Sequence, residues 1–242
     1  MIHRLTVPLS VMLLVTLAGC GREGYDAAQE QEAASAEPAM MSAVRQAYPN
    51  LPSDVVFEND QVVAQRVTAE PGSWTGEHPH GESQLAVVLK GGTVKYVEGG
   101  EETERTYATG DAFMLDPTEA HDHTAMGEAS IEFILITMAP SAGGGGSAQE
   151  YPNESADVMF ENDRVVVQKL AFEPNVWAGE HGHAGEQLVV VIKGGTQAYR
   201  EGGEETERTF TDGEVFMVEP TDAHDHAITS GEGVESVLIT IK

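Results

Sequence analysis

The sequence predicts an all-β protein made of two tandem copies of one small domain of sandwich or barrel type. Three observations predict it: short β-branched runs punctuated by Gly and Pro, no helical periodicity, and an ungapped internal repeat. Tyr48-Pro49-Asn50 recurs as Tyr151-Pro152-Asn153, and the same offset carries His78 to His181 and His121 to His224. Roughly half of the paired positions are identical, so the copies share one fold. They are too few and too long for a solenoid, and each must close its own core.

In the first copy, residues 62–67, 84–89, 93–97, 112–115 and 131–137 read as strands. Turn punctuation separates them: Glu70-Pro71-Gly72, Gly91-Gly92, Gly99-Gly100, Thr109-Gly110 and Asp116-Pro117. Many short strands at even spacing suit a sandwich or a barrel, and a jelly roll hides its edges around a central cavity. The repeated Gly-Gly-Glu-Glu-Thr-Glu-Arg-Thr, at 99–106 and 202–209, reads as a hairpin tip with a solvated charge run.

Residues 1–19 read as a lipoprotein signal peptide, with His3 and Arg4 as a basic start and an apolar run to Leu17 that is too short to span a bilayer stably. The run ends in Leu17-Ala18-Gly19-Cys20, which resembles the bacterial lipobox; the resemblance implies cleavage before Cys20 and lipidation of its sulfur. Gly21, in place of Asp, implies passage to the outer membrane, with the protein facing the periplasm or the surface. Cys20 is the only cysteine, so the mature chain has no disulfide. Residues 20–47, rich in Ala, Glu and Gln, read as a disordered tether. The first barrel is expected at 48–138, a Gly-rich linker containing Gly143 to Gly146 at 139–150, and the second barrel at 151–242.

A formal net charge of −27, with 13 Lys+Arg scattered along the chain, excludes a nucleic-acid surface and a peripheral grip on anionic lipid. The membrane is reached through the anchor alone, and the acidic surface serves solubility.

Of the nine histidines, all but His3 fall into His-x-His pairs: His78 and His80, His121 and His123, His181 and His183, His224 and His226. Side chains two apart on a strand share a face, so each pair can aim both imidazoles into one barrel. Two pairs per barrel supply up to four nitrogen ligands, which predicts one divalent metal ion per barrel. Fe, Mn, Ni, Zn and Cu are not distinguished by these residues.

The same residues resemble the two motifs of the cupin superfamily. Gly72, His78, His80, Gln84 and Gly91 match the first motif, and Gly110, Pro117 and His121 the second. The second copy offers Asn175, His181, His183, Gln187 and Gly194, then Gly213, Pro220 and His224. The resemblance covers both domains and implies two tandem cupin jelly-roll barrels, each similar to small stand-alone cupins of the beta-alanine degradation protein type. It departs from the family where Gln84 and Gln187 replace the metal-binding Glu, and where Ala125 and Ile228 replace the second-motif Asn. His123 and His226 are additional. A histidine-only site leaves the ion its full charge, which favours an anionic or enolate-like ligand and implies a likeness to three-histidine cupin dioxygenases.

Other residues carry weaker signals. Glu77 and Glu180, Asp122 and Asp225 face away from the histidines by strand parity, the aspartates with a possible supporting role through a neighbouring strand. Trp74 and Trp177 read as core or rim packing, and Tyr96 and Tyr199 as core residues that could reach the cavity as proton donors. Two functions fit: a mononuclear metal enzyme acting on a small oxygen-bearing substrate, or a lipoprotein that binds metal or a small ligand without turnover. Whether the barrels pack together or the chain forms oligomers is left open.

Overall fold

The structure, a computed structural model, describes residues 49–81, 83–139, 145–230 and 232–242. The expected signal peptide, Cys20, the tether, Tyr48 and residues 140–144 of the linker lie outside the described residues.

Every regular element among the described residues is a strand. The first copy forms β1 (Ser53–Glu58), β2 (Val62–Ala69), β3 (His78–His80), β4 (Gln84–Lys90), β5 (Gly92–Glu98), β6 (Glu101–Tyr107), β7 (Ala112–Leu115), β8 (Thr118–Ala125) and β9 (Ile131–Met138). The second repeats it strand for strand: β10 (Ala156–Glu161), β11 (Val165–Phe172), β12 (His181–His183), β13 (Gln187–Lys193), β14 (Gly195–Glu201), β15 (Glu204–Phe210), β16 (Val215–Val218), β17 (Thr221–Ser230) and β18 (Val234–Ile241). Each copy is a jelly roll of two sheets. One is five-stranded, in the order β1-β2-β9-β4-β7 or β10-β11-β18-β13-β16; the other is four-stranded, β3-β8-β5-β6 or β12-β17-β14-β15.

Local chemistry sets the turns. Asn59 Oδ1 accepts from the backbone N–H of Gln61 (2.9 Å) and Val62 (2.8 Å), and Asn162 does the same for Arg164 and Val165, closing the first hairpin of each copy. Gly72 has φ +71° and its counterpart Asn175 φ +63°. The lost motif glycine therefore became the residue that best tolerates the left-handed region. A side chain on Gly91 would lie 2.5 Å from the Tyr107 carbonyl, which is why that motif glycine persists as Gly194.

The charge run is not a hairpin tip as a whole. Only Gly99-Gly100 and Gly202-Gly203 turn; the Glu-Thr-Glu-Arg stretch behind them is strand β6 or β15, paired along its length with β5 or β14. Its residues are exposed because it forms the free edge of the four-stranded sheet, where charge also discourages edge-to-edge pairing.

The five-stranded sheets are buried on both faces, which explains their near-continuous apolar runs. One face fills the barrel: Val67, Ala86, Val88, Phe133 and Leu135 in the first copy, Leu170, Val189, Val191 and Leu238 in the second. The other face joins the two barrels in one cluster, in which Leu85, Val87, Ile134 and Ile136 pack with Leu188, Val190, Val237 and Ile239. The contact is isologous through the repeat: Arg66 lies against Gly213 as Lys169 lies against Gly110. The Gln61 side chain also donates to Glu186 across the junction, and Arg164 donates to the Ala139 carbonyl at 2.6 Å.

Ile136 is fully buried in this shared layer. Ile136→Ala should lower the unfolding free energy by about 2–4 kcal/mol, as a core truncation does, and both barrels should lose stability together. Urea unfolding read separately from Trp74 and Trp177 checks this: two transitions, with only the first barrel destabilised, would show that the barrels do not share a core.

Candidate metal centre

The antiparallel pairing of β3 with β8 sets His78 opposite His121, and that of β12 with β17 sets His181 opposite His224. Within β3, His78 and His80 are buried while Pro79 between them is exposed, the alternation that an extended strand imposes. In the first barrel the His78 ring centroid lies 4.6 Å from His121, 5.3 Å from His80 and 5.5 Å from His123. In the second, His181 lies 4.5 Å from His224, 5.0 Å from His226 and 5.3 Å from His183.

The two barrels do not offer the same triad. Donor nitrogens of His78, His80 and His121 lie within 4.8 Å of one another, whereas in the second barrel the set is His181, His224 and His226. Two positions are shared through the repeat and the third differs. His123 stands next to the first triad, 5.5 Å from His121 between centroids, with Nδ1 3.5 Å from the Thr75 hydroxyl. His183 stands next to the second, 4.7 Å from His224.

Backbone carbonyls orient the leading ring of each cluster. His78 Nδ1 donates to the Gly76 carbonyl and His181 Nδ1 to that of Gly179, both at 2.7 Å. A carbonyl only accepts, so Nδ1 carries the proton and Nε2 presents its lone pair to the cluster. The aspartates hold this loop from behind. Asp122 accepts from the Thr75 hydroxyl (2.7 Å) and the His123 N–H (2.8 Å), and Asp225 accepts from the N–H groups of Gly179 and His226, both at 2.8 Å. Both aspartates therefore support ligand-bearing backbone, as strand pairing allows.

Burial favours the neutral form of His78, His80, His121, His123, His183, His224 and His226. Loss of solvation, reinforced by neighbouring imidazoles, pushes His80 and His121 down to about 4 and His123, His183 and His226 to about 3. His78 and His224 are lowered by the same burial, opposed in His78 by the bond to Gly76 and in both by a nearby aspartate. These rings reach neutral pH already deprotonated, the state that binds a metal.

The glutamines at the motif's carboxylate position face the barrel interior. Gln84 Nε2 donates to the Thr137 hydroxyl at 2.9 Å and its side chain also hydrogen-bonds His80. Gln187 instead donates to Thr240 and to Gln149 Oε1, both at 3.3 Å, and its own Oε1 is buried without a partner among the described residues. Gln149 comes from the end of the linker stretch. Its backbone N–H and carbonyl are both held by the Gln168 amide, and its side chain donates to Gly182 between the two histidines at 3.2 Å.

Tyr96 and Tyr199 line the interior beside the histidines, with ring centroids 5.5 Å from His123 and 6.0 Å from His226. The Tyr96 hydroxyl pairs with that of Tyr107 at 2.9 Å, and that of Tyr199 donates to Gln197 at 2.9 Å. Tyr151 and Phe172 were not singled out by the sequence reading, yet Tyr151 packs 4.7 Å from His181 and Phe172 4.9 Å from His226. The signal for Tyr151 was its recurrence with Tyr48 in the repeat. Trp74, Glu77 and Glu180 lie away from the histidines, on the outside of the barrels. The cavities beside the clusters are small, about 30 Å³ in the first barrel and 70 Å³ in the second. In the first barrel, His121 also borders a cleft of about 200 Å³ with Tyr96, Arg105 and Thr118.

These residues fit a divalent metal. His181 Nε2 and both ring nitrogens of His183 are buried with no hydrogen-bond partner among the described residues, a costly arrangement unless a cation occupies their lone pairs. Donor separations of up to 4.8 Å exceed the roughly 3.4 Å of tetrahedral ligands on a metal, so modest ring rotations would complete the site.

A two-sheet jelly roll enclosing strand-borne histidines, present twice in one chain, defines a tandem histidine-bearing barrel protein. Residues 65–137 match the model of the cupin domain family, and the strand-for-strand repeat gives the chain the fold of two tandem cupin-type jelly rolls. Solved structures agree on the fold. AerE from Microcystis aeruginosa has TM-score 0.57 and 14% identity over 80% of this chain and 93% of its own. Oxalate decarboxylase from Lactobacillus farciminis, as a formate complex, has TM-score 0.58 and 10% identity over 82% and 84%. The 11S allergen from Cocos nucifera has TM-score 0.59 and 12% identity over 81% and 86%. At these identities the likeness establishes architecture alone. No curated protein matches the chain in sequence.

Acid should destabilise the metal-free protein. Unfolded imidazoles bind protons near pH 6.5, whereas the folded ones resist until about 4 or about 3. Between these values the unfolded chain holds more protons, so the stability that neutral histidines permit is complete above pH 6.5 and declines as pH falls toward 4. The melting temperature of chelator-treated protein, followed from about pH 7 to about pH 4, should fall throughout, and replacing His80, His123, His183 and His226 by Gln should flatten that slope. A slope unchanged in that variant would place the titrating groups elsewhere.

Proposed function

We propose that the protein is an exported, lipid-anchored metalloprotein in which each barrel binds one divalent ion, and that it acts as a mononuclear metal-dependent enzyme on a small oxygen-bearing substrate. The observation that carries this reading is the convergence of imidazoles without a carboxylate among the donors in both barrels. A bound divalent ion would supply Lewis-acid polarisation of a substrate oxygen. The chain's own residues account for the rest. His78 and His181 present Nε2 in a tautomer fixed by backbone carbonyls, and the apolar walls formed by Val67, Phe113, Phe133 and Leu135 exclude bulk water. Tyr96 sets a hydroxyl near His123, and Arg105 at the mouth of the cleft beside His121 offers a cation to an anionic substrate group.

The second reading, capture of metal or of a small ligand without turnover, is favoured by one observation: both barrels keep all four histidines around cavities of only 30 and 70 Å³. Elemental analysis of protein purified without a chelator or His tag, followed by a turnover screen of small acids with oxygen uptake, separates the two. Full metal with no turnover would favour capture.

Two metal ions per chain are expected, bound independently. The double variant His78→Ala with His80→Ala should carry half the metal and leave the second barrel loaded. Loss of all metal, or of none, would refute independent sites.

Export and anchoring rest on residues 1–19 and on Cys20 at the lipobox position. Cys20→Ser should move the mature chain from the membrane fraction to the soluble fraction on fractionation of the expressing cells. A variant that stays with the membrane would overturn the anchor.

A further inference from the structure

Outside the first barrel, on the opposite face of the sheet from the histidines, lies an open groove of about 1060 Å³. Trp74, Glu77, Val97, Glu98, Glu119 and Asp122 line it. Trp74 is 38% exposed, an unusual state for the largest apolar side chain. None of the four carboxylates takes part in an ion pair among the described residues.

The second barrel offers an internal comparison for this surface. The counterparts in the second barrel are Trp177, Glu180, Glu201, Asp222 and Asp225, so the aromatic ring and every carboxylate are retained. Besides the exchange of Glu119 for Asp222, one lining position changes in chemical character: Val97 is replaced by Arg200. The Arg200 guanidinium carbon lies 3.6 Å from the centroid of the Trp177 ring, while Nε pairs with Glu205 at 2.9 Å. The second barrel thus covers its own aromatic ring with a guanidinium group, anchored by Glu205 on the neighbouring strand. In the first barrel no Lys or Arg is among the residues that line the groove, and the nearest cation on that strand, Lys95, is drawn to Glu102, the counterpart of Glu205, at 2.6 Å.

We propose that the groove of the first barrel binds an arginine side chain on a basic peptide segment of a partner protein, its guanidinium stacked on Trp74 as Arg200 stacks on Trp177. Guanidinium is the group that the internal template selects, since it is planar and pairs with a ring face and a carboxylate at once. A peptide suits the groove better than a free amino acid, because the space far exceeds that of one guanidinium group and runs on past Gly99, Gly100 and Pro117. A net charge of −27 steers basic partners toward the protein. The inference does not depend on metal or on turnover.

The chain has two tryptophans, so Trp177→Phe leaves Trp74 as the sole fluorophore. In that background, a synthetic peptide with one arginine among neutral residues should quench Trp74 saturably. Its citrulline analogue, which keeps the shape and loses the charge, should bind roughly threefold to thirtyfold more weakly. Val97→Arg should abolish quenching by filling the groove from within. Conversely, Arg200→Val in a Trp74→Phe background should open the second barrel to the same peptide. Equal binding of the citrulline peptide, or binding unchanged by Val97→Arg, would overturn the proposal. Free arginine binding as tightly as the peptide would overturn the macromolecular partner.

Discussion

The architecture depends on one contact, the face-to-face packing of the two five-stranded sheets. Each sheet has two apolar faces, and a single barrel can bury only one. Left in water, the layer of Leu85, Val87, Ile134 and Ile136 would form an exposed apolar patch large enough to drive association. The second copy satisfies it with the equivalent layer of its own sheet, so the repeat is also an isologous interface built into one chain. A consequence follows for the sites. With the five-stranded sheets committed to the junction, the four-stranded sheets that carry the histidine pairs belong to the outer halves of the molecule, and each cluster has its own route to solvent.

Much of this was legible in the sequence, because strand periodicity and a repeat are strong signals. Strands β2, β4, β5, β7 and β9 fall where alternation and turn residues place them. The parity that puts His78 and His80 on one buried face follows from extended backbone alone. What was not legible depends on tertiary contact. Strand β6 looks like a solvated loop because its Glu, Thr and Arg residues are exposed on an edge, and only pairing with β5 makes it a strand. The junction between barrels was written in runs such as Gln84 to Leu89, where both parities are apolar, but such a run reads equally as a strand buried within one barrel. Neither the choice of third histidine in each triad nor the arrival of Gln149 beside Gln187 can be derived from spacing, since both depend on side-chain rotation within a closed cavity.

The copies also show how one scaffold diverges around a fixed core. Thr75 secures Asp122 with its hydroxyl, but Ala178 stands at the equivalent position and the Gly179 N–H takes over the bond to Asp225. Gln84 reaches His80 in one barrel, whereas Gln187 turns to the linker glutamine in the other. Arg208 is tied to Glu214 and stacked on Phe216, while Arg105, its counterpart, leans over Tyr96 at the cleft that reaches His121. Each exchange preserves the backbone and the histidines but changes what approaches them, so equal metal binding by the two barrels is compatible with unequal access.

Electrostatics links the surface to the interior in opposite senses. The chain carries a charge of −27, but its histidine clusters are neutral and hold no carboxylate donor. A field of that sign raises the local concentration of divalent cations and lowers that of anions. A divalent ion held by these imidazoles would therefore arrive with help from the surface and would keep its full charge inside an apolar cavity where Coulomb interactions are least screened. An anionic ligand would instead cross an unfavourable field to reach it. The attraction that compensates is short-ranged and confined to the site, at the metal position and at Arg105 beside the cleft. On the proposed metal-bound reading, such an arrangement would favour a small ligand with a single concentrated negative oxygen, because a larger polyanion would gain no more at the one ion within reach while meeting more of the acidic surface.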